Sequence, residues 1–248
     1  MFDFVTIAQP FGPRRTSGRL ILGLATVLLF VATAHAQFGG PPTTPVHDAS
    51  PLHPPAGSHV AIVEFEDQEC PDCANANPVV RDAAAKYGIP LIRHDFPLPF
   101  HNWSFAAAVN ARWFDTKSKK MGDDYRDYIF ANQPSIETPS QLTQITGKFA
   151  AAHGVAFPFA VDPQGQLSAL VKADYALGQR VGIEHTPTIW VVTDGGKAPP
   201  FIEIVDRSKL YQIIDQAIAA TKSSTPAKTV ASAKPAAKPA AKPAAKKP

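Results

Sequence analysis

Ala61-Ile62-Val63-Glu64-Phe65 leads into Cys70-Pro71-Asp72-Cys73, and Ala74 to Tyr87 follows. The first stretch reads as a buried strand and the last as a helix, so the two cysteines fall at a strand-to-helix junction. They are the only cysteines in the 248 residues. A structural disulfide framework needs more cysteines spread through the fold, and a complete zinc site needs more ligands. A zinc reading would have to recruit His94, His101 or His185 from distant places. Haem attachment would want a histidine directly after Cys73, where Ala74 stands. A dithiol that opens and closes as a disulfide needs nothing further. At a helix N-terminus the unpaired N–H groups and the dipole favour a thiolate on Cys70. Cys70 is then the attacking thiol and Cys73 the resolving one.

Outward from this motif the chain divides by composition. Residues 1–36 carry Arg14, Arg15 and Arg19, an apolar run from Leu20 to Val31, and Ala34-His35-Ala36 as a small–x–small cleavage pattern. They read as a cleavable signal peptide with Gln37 as the mature start. The Arg14-Arg15 pair suggests twin-arginine export, but Ser17-Gly18 stand where that signal wants bulky apolar residues, which favours general secretion. The run is shorter than the ~20 residues of a spanning helix, which argues against an uncleaved anchor. Export to the periplasm, or to another oxidising compartment, lets a dithiol cycle. Residues 37–58, rich in proline and glycine, read as an extended linker. Residues 222–248 repeat Ala-Ala-Lys-Pro without an aromatic or an acid. Such a tail cannot bury enough apolar surface to offset its ordering entropy, so it reads as disordered.

Charge follows the same boundaries. The chain is +3 overall; the leader holds +2 and the tail +7, which leaves the body at −6. Nucleic acid is therefore not expected as the primary ligand, although the basic tail could touch membrane or cell wall. Residues 59–221 are a normal size for one domain with a full core.

Within that body the order of elements is β–α–β, a helical insert over about 99–182, then β–β–α. The pattern predicts strands at Val60–Phe65, Pro90–Phe96, Thr188–Thr193 and Phe201–Val205. Asp194-Gly195-Gly196 turns the last two into a hairpin. Helices are expected from Cys70 to Tyr87 with Pro78 inside and Gly88 as cap, and over Trp103–Phe114, Asp124–Asn132 and Thr138–His153, the last with Thr138 or Ser140 as N-cap. Further helices are expected over Pro163–Val181, with Asp162 as N-cap, and over Ser208–Ala220. His101 and Trp103 are expected to pack or cap the first insert helix. The aromatic residues Trp113, Phe114, Tyr125, Tyr128 and Phe130 are expected to form the insert's core.

This order, with Cys-Pro-Asp-Cys after the first strand, resembles the thioredoxin fold: α/β, a central mixed sheet flanked by helices. The helical insertion resembles the DsbA-type branch of exported thiol–disulfide oxidoreductases. Glu64, six residues before Cys70, stands where that family keeps a buried acid. Pro78 stands where thioredoxin-like helices carry their proline. Phe96-Pro97-Leu98 with His101, and Ala106-Ala107-Ala108, resemble the start of the insert. Thr186-Pro187-Thr188 stands where the family has its cis-proline loop opposite the active site. Two positions depart from the pattern: His185 replaces a common glycine, and the central dipeptide is Pro-Asp.

The resemblance implies an enzyme that exchanges disulfides with protein substrates, uses no bound cofactor or metal and is recycled by a redox partner; the body shows no added dimerisation segment, so a monomer is expected. It assigns catalytic roles to Cys70, Cys73, Glu64 and Pro187, and substrate contacts to Thr186, Pro71, Asp72 and His185. Buried, Glu64 would hold a raised pKa and exchange a proton with Cys73. Glu66, Asp67, Glu69 and Asp72 crowd the helix start. Their like charge is expected to oppose the Cys70 thiolate and to make a weaker oxidant than a Cys-Pro-His-Cys relative. The alternative from another class is a thioredoxin-fold chaperone or envelope-tethered binding module.

Overall fold

The computed structural model describes residues 44–222. The expected signal peptide and nearly all of the Lys/Pro tail lie outside the described residues. Four strands form one mixed sheet in the order β2-β1-β3-β4. They are β1 (Val60–Glu66), β2 (Leu91–Asp95), β3 (Thr188–Thr193) and β4 (Phe201–Glu203). β1 lies parallel to β2 and antiparallel to β3, and β3 lies antiparallel to β4. Among the described residues six α-helices flank the sheet: α1 (Pro71–Tyr87), α2 (Ser104–Asp115), α3 (Lys119–Asn132), α4 (Pro139–Ala152), α5 (Gln166–Val181) and α6 (Leu210–Lys222).

Every residue of β1 is buried, which is why the strand reads as a nearly continuous apolar run. Alternation still sorts its side chains. Val60 and Ile62 pack with Ala76, Val80, Leu210 and Ile214 under α1 and α6. Ala61, Val63 and Phe65 pack on the opposite face with Phe96, Trp190 and Val181. Glu64 falls on the Ile62 face, beneath α1. On the other face α5 approaches closely at Gly178, where a Cβ would come within 2.5 Å of the Phe96 ring. The insert packs separately around Trp103, Phe114, Tyr125, Ile129 and Phe149.

Where insert and sheet meet, the seam is ionic. Arg93 on β2 donates to Glu66 at 2.8 and 3.0 Å, and both side chains are 1% exposed. Arg93 also donates to Asn77 on α1 and Asp127 on α3. Arg126 on α3 donates to both carboxylate oxygens of Asp115 on α2. Arg112 on α2 reaches Asp95 at 2.5 Å and pairs with Asp174 on α5. A buried pair adds little net stability over apolar packing, but removing one partner strands a charge.

Several boundaries differ from those expected. α3 begins at Lys119, five residues early, because Ser118 caps it by accepting from the Met121 N–H. α5 begins at Gln166 rather than Pro163, since Gly165 stands at φ 70° and interrupts the helix. Asp162 still serves that end, accepting from the Leu167 and Ser168 N–H groups. β4 ends at Glu203, and a 3-10 turn over Arg207–Lys209, capped by Asp206, precedes α6. The segment read as an extended linker is docked from Thr44 onward. Thr44 donates its N–H and hydroxyl to the Glu203 carboxylate, both at 2.8 Å. The His47 N–H donates to the Val181 carbonyl, and Leu52 is buried in the sheet's core. The apolar positions Val46 and Leu52, spaced among prolines, pack into the same core as Phe65, Trp190 and Val181.

Candidate redox site

Cys70 is the N-cap of α1, with φ −75° and ψ 120°. Pro71 takes the first helical position, where its missing N–H would have had no partner. The antiparallel register pairs Phe65 with Thr188 and Glu64 with Ile189. That pairing sets the turn before β3 beside the end of β1, and hence beside the cysteines. The Thr186–Pro187 peptide bond in that turn is cis, as the motif leads one to expect. The Cys70 thiol donates to the Thr186 carbonyl at 3.3 Å.

The two sulfurs, both free thiols, occupy unlike surroundings. Cys70 is 8% exposed and Cys73 fully buried, and both pack against Phe130 of the insert. A hydrogen bond from the Cys73 thiol is the largest influence drawing the Cys70 pKa down, to about 5. Partial burial works against this; the Thr186 side chain and the backbone N–H groups of Cys73 and Asp72 work with it. Burial pushes the Cys73 thiol well above its ordinary value, and the nearby Cys70 adds to this. The Asp67 N–H donates to the Cys73 sulfur at 3.4 Å.

Glu64 lies beneath this pair at 1% exposure, and its Oε2 has no hydrogen-bond partner. Burial first and the Glu66 charge second push its pKa up to about 8. Its charge in turn helps to raise Cys73. A dithiol with one easily ionised and one suppressed thiol, above a carboxyl that holds a proton near neutral pH, can pass a disulfide in and out.

A sequence model of the thioredoxin family matches residues 56–199. The chain belongs to the thioredoxin family. No curated protein matches it significantly. The thioredoxin-family fold, insert included, is similar to several solved structures. The thiol-disulfide exchange protein alpha-DsbA2 of Wolbachia pipientis shares 17% identity over 66% of this chain and 84% of that one, with a TM-score of 0.53. BdbD of Bacillus subtilis, in its oxidised form, shares 20% over 72% and 97%, with a TM-score of 0.54. A periplasmic thioredoxin-like protein of Salmonella enterica serovar Typhimurium shares 19% over 70% and 94%, with a TM-score of 0.52. In its fold this thioredoxin-family member is DsbA-like.

The acidic crowd around this thioredoxin-family motif is organised rather than free. Glu66 is tied to Arg93. Asp67 is buried, accepting from the Leu98 N–H at 2.6 Å, the Glu69 N–H at 2.7 Å and His101 Nδ1 at 2.7 Å. Glu69 accepts from the Trp103 and Ser104 N–H groups and so closes the start of α2. Asp72 is gripped by Arg207 at 2.7 and 3.1 Å. Glu66 and Asp72, each paired with an arginine, thus have their repulsion of a Cys70 thiolate offset, while Asp67 and Glu69 are held in place by N–H donors. His101 holds Asp67 rather than capping α2, whereas Trp103 is that helix's N-cap residue.

His185 is exposed and its charge acts on Asp72. The histidines of a zinc reading diverge: His94 pairs with Asp174 and His101 with Asp67. Among the described residues no cluster of three or more His, Cys, Asp or Glu is placed to hold a metal. Two residues of the site carried no sequence signal. Arg207 is one; the other is Gln133, whose Nε2 donates to the Gln68 and Cys70 carbonyls at 2.9 and 3.0 Å.

Proposed function

We propose that the chain is an exported thiol–disulfide oxidoreductase that exchanges its Cys70–Cys73 pair with protein substrates, chiefly as a disulfide donor. The observation that carries this is the asymmetry of the pair beside the cis-proline turn: Cys70 down to about 5, Cys73 buried and raised. A reduced form stabilised as the Cys70 thiolate makes the disulfide the reactive state.

In donation, a substrate thiolate attacks Cys70 Sγ and the Cys70–Cys73 bond breaks. Cys73 leaves with the electron pair, and its burial requires a proton, which Glu64 supplies. A second substrate thiolate then attacks the substrate sulfur of the mixed disulfide. Cys70 departs as a thiolate, a good leaving group because of its low pKa. The substrate has lost two electrons and the protein holds them as a dithiol, which a separate redox partner must reoxidise. The same steps reversed would reduce or isomerise a wrong disulfide. An extended substrate segment would lie against the Thr186–Pro187 turn by backbone pairing, with Pro71, Asp72 and His185 at its edge.

Export is supported by the leader-like residues 1–36 and by the oxidising surroundings a donor needs. The test is a Cys73→Ser protein mixed with an unfolded, disulfide-bearing substrate. A covalent adduct at Cys70, released by dithiothreitol and absent from Cys70→Ser, is the expected result. No adduct would refute the reading and favour a redox-inert binding module.

A further inference from the structure

We propose that Arg207 is a positioning residue of the redox centre, holding Asp72 so that the charge inside the Cys-Pro-Asp-Cys loop is cancelled. The ion pair thereby sets how oxidising the couple is. The inference rests on the exchange reading above.

Asp72 is the second residue of α1, between the two cysteines, and more than half exposed. A lone carboxylate there would itself be favoured by the helix N-terminus, but its charge would oppose a thiolate on Cys70. Arg207 reaches it from the 3-10 turn before α6, 135 residues on, with each terminal nitrogen donating to a different carboxylate oxygen, at 2.7 and 3.1 Å. That fork is the strong, geometrically specific form of an arginine–carboxylate contact. The position is set by packing, since Leu210, Ile213 and Ile214 of α6 share one core with Ala76 and Val80 of α1.

The guanidinium is coupled to the chemistry as well as to Asp72. It interacts electrostatically with Cys73 and Cys70, and it acts on Glu64. His185, beside the cis-proline turn, also acts electrostatically on Asp72, and Asp206 and Lys209 flank Arg207 on its own turn, 3.8 Å apart. As a stabilising contact an exposed pair of this kind contributes little. Its consequence is electrostatic: neutralised, Asp72 no longer weighs against the Cys70 thiolate.

This makes opposite demands on the two partners. Arg207→Met leaves Asp72 bare, so the Cys70 pKa rises and the couple becomes less oxidising. Asp72→Asn leaves Arg207 bare, so the Cys70 pKa falls and the couple becomes more oxidising. A residue that only braced the loop would move both variants the same way. The experiment measures the pH dependence of Cys70 alkylation and the glutathione equilibrium for wild type, both single variants and the double. Each single variant is expected to shift the glutathione constant about threefold in its own direction. That is about 14 mV at roughly 30 mV per tenfold, and raised salt should shrink it. The double variant should return to within about twofold of wild type. Shifts of the same sign, or none in either single variant, would overturn the proposal. If wild type formed no disulfide with glutathione, the exchange reading would fail, and the alkylation profiles would still decide the ion pair's role.

Discussion

Replacing Glu64 by Gln should make the protein more stable and a slower enzyme. Burial holds the Glu64 pKa at about 8 against an ordinary 4.5. A carboxyl raised in the folded state binds its proton more tightly there than in the unfolded chain. The native state therefore loses stability as pH climbs from about 4.5 and stops losing it above about 8. Carried to completion this is up to about 5 kcal/mol, and about 3 kcal/mol by pH 7, at about 1.4 kcal/mol per pH unit. Gln carries no such charge. It keeps a buried amide where Glu64 Oε2 already lacks a partner, which costs about 1 kcal/mol. The net expectation at pH 7 is a gain of about 2 kcal/mol, which raises the urea midpoint by about 1 M.

Urea titrations at pH 4.5, 7 and 8.5 in a Cys70→Ser/Cys73→Ser background exclude thiol ionisation from the comparison. By the same sum the substitution should cost somewhat under about 1 kcal/mol at pH 4.5, where the ionisation term is nearly absent, and gain most, about 4 kcal/mol, at pH 8.5. In the protein with both cysteines, Glu64→Gln should slow proton transfer at Cys73 and lower exchange by about a hundredfold, a typical general-acid contribution. A gain in stability that is the same at all three pH values, or a loss that grows with pH, would refute the account of Glu64.

Two further outcomes follow from the same structure. Cys70 alkylation by iodoacetamide in the reduced protein should have its midpoint near pH 5, and a midpoint above pH 8 would mean that the hydrogen bonds to its sulfur do not form. Arg93→Met strands Glu66 in the seam between insert and sheet. It should cost roughly 3–5 kcal/mol by urea unfolding at pH 7, with most of the loss recovered in the Arg93→Met/Glu66→Gln double variant.

What the sequence disclosed were the features with a local signature. Strand, dithiol and helix follow one another within thirty residues, and the alternation in β1 sends Glu64 under α1. Thr186-Pro187 is marked by its place before a buried strand. The start of α4 was legible to within Thr138 or Ser140, and it is the Thr138 oxygen that caps it, accepting from the Gln141 N–H three residues on. The Ser118 cap was hidden by a polar Lys119-Lys120 start and by Gly122, which looks like a loop. Gly122 is helical and lies against Asp115, where a Cβ would collide with the carboxylate. The interactions that organise the acidic crowd have no local pattern at all. Arg207 meets Asp72 across 135 positions, His101 meets Asp67 across 34, and Trp103 and Ser104 meet Glu69 across 34 and 35. Counting charges near Cys70 thus overstates the repulsion, because the compensating donors arrive only with tertiary packing.

The central claim is that Cys70 and Cys73 form a reversible couple poised to donate disulfides. Its most direct test is the equilibrium of the pair with reduced and oxidised glutathione, read by alkylation and mass. A Cys70 pKa of about 5 lies between the roughly 7 of thioredoxin and the roughly 3.5 of DsbA. The potential should accordingly fall between the roughly −270 mV of thioredoxin and the roughly −120 mV of DsbA. A pair that forms no disulfide across the glutathione range, or one at least as reducing as thioredoxin, would contradict the account.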